Sequence, residues 1–249
     1  MRDRTGGILA QAGMFFLWTN EVSMALSVYP PDIFPIQRRP TVWFLLARGI
    51  FGPVVRFLFR FDVAGRKNRI AGSCVLIANH LGWLDAFALL LSFPSTPRIH
   101  FLGNPEGASQ NPFQWWVLRH VGGYLPVIPG GGNGPELYKA VYRCLDAGGI
   151  VALFPEGRFG LREGELLPFK SGFAHFAHHA GVPIIPVGLT GTKTLWLWKT
   201  VNVTIGKPFM PEGSIEETVE KGRESVLHLL RKRRWKGIHL FTKELTNLL

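Results

Sequence analysis

The chain has 249 residues, of which 47% are apolar and 18% charged, with a mean hydropathy of +0.14. That is too long for a stapled mini-scaffold and too oily for a disordered chain, and it suffices for one α/β domain with a substantial core. With 28 Lys+Arg against 17 Asp+Glu, the net charge of +11 points to anionic partners, and the 8 Trp, 19 Phe and 4 Tyr that accompany it favour a membrane surface over nucleic acid.

Residues 1–18 (MRDRTGGILAQAGMFFLW) have the outline of a signal peptide, but Gln11 interrupts the apolar middle, so residues 8–30 are read instead as a hydrophobic helix. Its expected partner is the segment Thr41 to Val63, TVWFLLARGIFGPVVRFLFRFDV. On a helical wheel Arg48, Arg56 and Arg60 fall within an arc of about 120° with Gly49 and Gly52, while Trp43, Phe44, Ile50, Phe51, Val54 and Leu58 point away. Two readings follow: a helix lying in the plane of the lipid headgroups, or one packed on the protein's own core. Pro53 is expected to kink or break it. No stretch of about 20 apolar residues is free of charge, so monotopic association with the cytoplasmic leaflet of an anionic membrane is expected. Residues 1–63 are assigned to a membrane-binding helical hairpin and residues 64–249 to the α/β domain.

Beyond residue 64, short β-branched runs alternate with helical stretches, the pattern of an α/β fold with a mixed central sheet flanked by helices. Strands are predicted near 73–78, 98–102, 124–128, 149–154, 184–189 and 201–205, and helices near 84–92, 112–120, 135–147, 171–180 and 214–234. Cys74 and Cys144 sit in apolar runs and read as small buried hydrophobes. There is no CxxC or HExxH pattern. The Gly-rich stretch at 129–135 and GTKT at 191–194 lack the spacing of phosphate-binding loops, so chemistry without metal or cofactor is expected. Residues 221–243 hold eight Lys/Arg, clustered as RKRRWK around Trp235, which suits either an anionic bilayer or a solvated helix face.

The most informative stretch is IANHLGWLD, Ile77 to Asp85, where an apolar strand runs into His80, a glycine-containing turn and a helix start. Sites in open α/β sheets form at the carboxyl ends of strands. An imidazole there can take a proton from a hydroxyl near neutrality, provided a carboxylate orients it. Five residues apart on a regular helix, the two side chains would diverge by about 140°. His80 must therefore precede the helix, with the turn at Gly82 returning Asp85 to it. A second strand end, ALFPEGR from Ala152 to Arg158, sets a carboxylate and a guanidinium beside a tight turn. LPFKSG then adds Lys170.

Together these segments resemble the lysophosphatidic acid acyltransferases, membrane-bound glycerolipid acyltransferases with four sequence blocks. Asn79, His80 and Asp85 match the first block; Phe154, Pro155, Glu156 and Gly157 match the third, followed by Pro168 to Gly172; Val182, Pro183, Ile184, Ile185, Pro186 and Val187 match the fourth. The resemblance implies transfer of an acyl group from acyl-CoA or acyl carrier protein to a lysophospholipid hydroxyl, with His80 as base and Asp85 as its partner. It also implies substrate contacts at Asn79, Phe154, Pro155, Glu156 and Gly157, to which the need to match an anionic acceptor adds Arg158 and Lys170. The chain departs from the family in the second block, where GGYLPVIPGG places Pro129 about where an arginine is usual, and at Arg158, where threonine is common. Either Arg158, Lys170 or Lys193 takes over the acceptor phosphate, or the acceptor carries a different headgroup, such as a lyso-aminolipid. Glu156 is expected to accept from an acceptor hydroxyl or to brace Arg158.

Two other clusters compete. His175, His178 and His179 lie at i, i+3 and i+4, opposite Phe173 and Phe176, and read as a solvated face rather than a zinc site. Without a GxSxG elbow, Ser171 reads as an N-cap rather than a nucleophile.

Overall fold

The run CVLIA, Cys74–Ala78, has no polar position, as befits a strand covered on both faces, and it forms the middle of the sheet (β2). In a computed structural model, residues 38–103, 116, 120–127 and 134–246 are described, all within the compact unit Phe34–Leu249. Helix α1 (Val42–Leu58) leads into β1 (Arg60–Ala64), and β2 is followed by α2 (Leu84–Ser92). Then come β3 (Ile99–Gly103), β4 (Tyr124–Pro126), α3 (Gly134–Asp146), β5 (Ile150–Leu153), α4 (Gly172–Ala180), β6 (Ile184–Thr190), β7 (Thr200–Ile205) and α5 (Ile215–Thr246).

The seven strands lie in the order β1-β7-β6-β2-β5-β3-β4, parallel throughout except for β6 against β7. The sheet is therefore mixed, as the sequence predicts. Alternation along the strands splits the core. Leu76, Ala152, Val187 and Val203 pack with Leu84, Ala88 and Leu89 of α2 on one face, and Val75, Ile77 and Val151 pack with residues of α3, α4 and α5 on the other. Both cysteines are free and buried, and burial pushes each thiol up to about 12.

The segment 41–63 departs from expectation in four ways. Thr41 caps α1 through its side-chain oxygen, and the helix runs unbroken through Pro53 to Leu58. The chain then turns extended at Phe59 and forms β1, which pairs with β7. A boundary at residue 63 thus falls inside a strand of the sheet. Third, Phe44 is buried, with the Arg98 guanidinium 3.4 Å over its ring. Finally, Arg48 and Arg56 of the arginine stripe turn to the protein, while Arg60 lies in β1 and is exposed. Arg48 donates to the Leu90 and Phe93 carbonyls at 2.8 Å each, and Arg56 donates to Leu91 at 3.1 Å. These are the carbonyls that the end of α2 leaves without helical partners, at the negative end of its dipole. The outward residues of α1 are instead Val42, Trp43, Leu45, Leu46, Ile50, Phe51, Val54, Phe57 and Leu58, all exposed.

The predicted helix at 8–30 lies outside the described residues, as do Pro129 and most of 112–120, of which Trp116 and His120 are helical. Ser171 does precede α4, but its side chain makes no capping bond; its carbonyl accepts from Ala174 and His175 instead. Among the described residues no helix is long and apolar enough to cross a membrane.

Candidate active site

β2 and β5 are parallel neighbours, so the segments that leave their carboxyl ends, Asn79-His80 and Phe154-Pro155-Glu156, emerge side by side. The five-residue spacing resolves as the chemistry requires. His80 lies before α2 and Asp85 in its first turn, with His80 Nδ1 2.8 Å from Asp85 Oδ2. The same oxygen accepts the backbone N–H groups of Leu81 at 2.5 Å and Gly82 at 2.9 Å. Asp85 is fully buried. A carboxylate oxygen that takes three N–H groups fixes Nδ1 as the donating nitrogen and leaves Nε2 with its lone pair for a substrate. The turn at Gly82 is close-packed: a Cβ there would stand 3.1 Å from the Thr192 carbonyl, a tight contact.

The imidazole stacks on Phe154 at 3.9 Å between ring centroids, the two planes nearly parallel, and Phe159 leans on it at 4.4 Å. Its side chain keeps 20% exposure. The sequence singles out Phe154 but not Phe159, whose approach depends on a loop path that no motif encodes. The Gly160 N–H donates to the His80 carbonyl at 2.6 Å, drawing that loop onto the histidine.

Several predicted contacts are redistributed. Asn79 is fully buried, and its amide pairs with the backbone of Leu189 in both directions, donating at 3.0 Å and accepting at 2.8 Å. It sews β2 to β6 from within the core. Glu156 neither braces Arg158 nor turns to a hydroxyl: Oε1 accepts from the His80 N–H and Oε2 from the Leu167 N–H, each at 2.8 Å. Burial raises its carboxyl above the ordinary range, against the opposing pull of those two N–H groups. Pro155 is buried, and its carbonyl accepts the Lys170 N–H at 2.9 Å. Gly157 adopts a left-handed φ of 67°, and a Cβ there would meet the Lys170 ammonium at 2.8 Å. The Lys170 head therefore lies against the Phe154–Gly157 turn. Arg158 is exposed and has no hydrogen-bond or ion-pair partner among the described residues. Lys193 is engaged, its ammonium donating to the Gly160 carbonyl at 2.7 Å.

The histidine cluster does not converge. His178 Nε2 lies 2.8 Å from Thr218 Oγ1, and His179 stacks on Tyr142. Among the described residues no group of three or more His, Cys, Asp or Glu could hold a metal.

Residues 37–190, more than half of the chain, match the family described as Acyltransferase. The chain belongs to the acyltransferase family. It is 29% identical over 203 residues to a 1-acyl-sn-glycerol-3-phosphate acyltransferase of Saccharomyces cerevisiae, covering 73% of this chain and 64% of that one. It is 33% identical over 127 residues to a lyso-ornithine lipid O-acyltransferase of Rhodobacter capsulatus, covering 48% and 41% respectively. The chain thus spans less than two thirds of the length of these curated relatives. Its fold is similar to that of the 1-acyl-sn-glycerophosphate acyltransferase PlsC of Thermotoga maritima, with a TM-score of 0.62 and 22% identity over 78% of this chain and 80% of that one.

Proposed function

We propose that this acyltransferase moves a fatty acyl group from acyl-CoA or acyl carrier protein to a hydroxyl of lysophosphatidic acid at a membrane surface. The observation that carries the reading is the free Nε2 of His80 at a strand end, with Nδ1 held by a buried Asp85. Nε2 takes the proton of the acceptor hydroxyl as its oxygen attacks the thioester carbonyl. That attack forms the new C–O bond, and collapse of the tetrahedral adduct restores the carbonyl, breaks the C–S bond and returns the proton from His80 to the departing thiolate. Asp85 keeps the tautomer and stabilises the imidazolium between the two steps. Arg158 and the Lys170 ammonium, both exposed beside the Phe154–Gly157 turn, supply the positive charge for the acceptor phosphate. The outward apolar face of α1 supports monotopic attachment, with the site on the cytoplasmic face.

One observation favours a second acceptor. Pro129 stands where the second-block arginine is usual, and among the relatives is an enzyme named for a lyso-ornithine lipid. A panel of lysolipids assayed with one acyl-CoA separates the two readings. Preference for lysophosphatidic acid, with Arg158→Ala raising KM more than it lowers kcat, supports the phosphate pocket. Turnover of an amino-headed lysolipid with lysophosphatidic acid inert would overturn it.

A further inference from the structure

The turn between β6 and β7 displays Trp196, Leu197 and Trp198 at 59%, 55% and 55% exposure. It is not a slack loop. Trp198 is the only non-glycine among the described residues with positive φ, 63°, a conformation that bulky L side chains rarely adopt unless their surroundings impose it. The Trp198 N–H donates to the Leu58 carbonyl at 2.7 Å, and the Lys199 N–H donates to the Trp196 carbonyl at 3.1 Å. The Lys199 ammonium donates to the Thr194 carbonyl, pairs with Glu163 at 3.3 Å, and lies 4.1 Å from the centre of the Trp196 ring. So rigid a display of three apolar side chains is unfavourable in water and needs a cover.

The neighbours indicate what the cover is. Through Leu58 the turn is continuous with the end of α1, whose Val54, Phe57 and Leu58 are exposed. Through Glu163, which also accepts from the Gly191 N–H at 3.1 Å, it is tied to the loop carrying the exposed Phe159 and Leu161. Exposed indole rings suit the boundary between headgroups and acyl chains, and a chain of net charge +11 suits an anionic surface.

We propose that the Trp196–Trp198 turn is a bilayer-docking element, a contact separate from α1 that seats the mouth of the His80 site on the lipid surface. The choice of a bilayer as occupant rests on the lipid-acyltransferase reading above. The test starts from Leu197→Cys in the full chain, because both native cysteines are buried and an environment-sensitive thiol dye will report position 197 alone. The dye should attach readily in buffer, and its emission should shift to the blue when vesicles of phosphatidylglycerol and phosphatidylethanolamine are added. In parallel, Leu197→Asp should lower turnover of a vesicle-embedded long-chain lysolipid about tenfold and leave a monomeric short-chain lysolipid within about twofold of wild type. Emission that stays at its aqueous position with vesicles overturns the proposal. A thiol blocked in buffer also overturns it, by showing that another segment or a second copy covers the turn. Equal losses on both substrates would make the turn a support for the catalytic loop and likewise overturn it. Wild-type protein inert toward every lysolipid would instead sink the acyltransferase reading, with the dye measurement still deciding the docking.

Discussion

A single oxygen, Asp85 Oδ2, receives the histidine and two backbone N–H groups, and that concentration of donors sets the histidine's direction. Asp85→Asn puts an amide where only an acceptor fits, and kcat should fall by roughly two to four decades with little change in KM for the donor. The dyad was legible in the sequence because both members announce themselves by residue type and spacing. The roles of Asn79 and Glu156 were not, because their partners are backbone groups 110 and 76 residues away, which no side-chain motif records. Asn79→Ala would strand the buried N–H and C=O of Leu189, at about 1–3 kcal/mol for each unpaired group, measurable as a lowered urea midpoint. Glu156→Gln sets an amide NH2 against one of two N–H donors and should reduce stability and turnover together. The pH dependence has a definite sign. Glu156 titrates above its ordinary value of 4.5 in the folded protein, so it holds its proton more tightly folded than unfolded. Its contribution to stability is complete below the ordinary value and is lost as pH rises through the raised one. Urea titrations across that window should show a fall with pH in the wild type that Glu156→Gln removes.

Strands β2 to β7 and α2 fall within a residue or two of where the sequence placed them, because an apolar run bounded by turn or helix signals has few other readings. Helix α1 was harder. A helical wheel separates its two arcs but cannot say which one meets the protein. The wheel allows either arc to face inward; the unpaired carbonyls at the end of α2 attract the arginines, and the apolar arc turns outward. β1 went unseen for a related reason: RFLFRFDV carries no glycine or proline to mark a helix end, and the change of period takes place at one residue. Arg48→Met removes two charged hydrogen bonds from half-buried carbonyls. It should cost about 1–3 kcal/mol and speed hydrogen exchange along α1 more than along β2. Unchanged exchange in α1 would show that contacts other than Arg48 hold the helix.

Taken whole, the molecule places the paired His80 and Asp85 at the carboxyl edge of a mixed sheet, beside an exposed apolar turn, with an outward apolar helix on the same unit. Arg48 and Arg56 are engaged by carbonyls at the end of α2, so membrane retention should depend on apolar contact more than on charge. Membranes washed in about 1 M salt, where the screening length is near 3 Å, should keep the protein. Clean release by salt alone would mean that the basic residues of α5 dominate instead. The central claim is that His80 is the base for acyl transfer. Its most direct test is the rate of thioester consumption with a lysolipid acceptor, compared between wild type and a folded His80→Ala whose thermal unfolding matches. The account predicts a loss of about two to four decades; consumption at near the wild-type rate would contradict it.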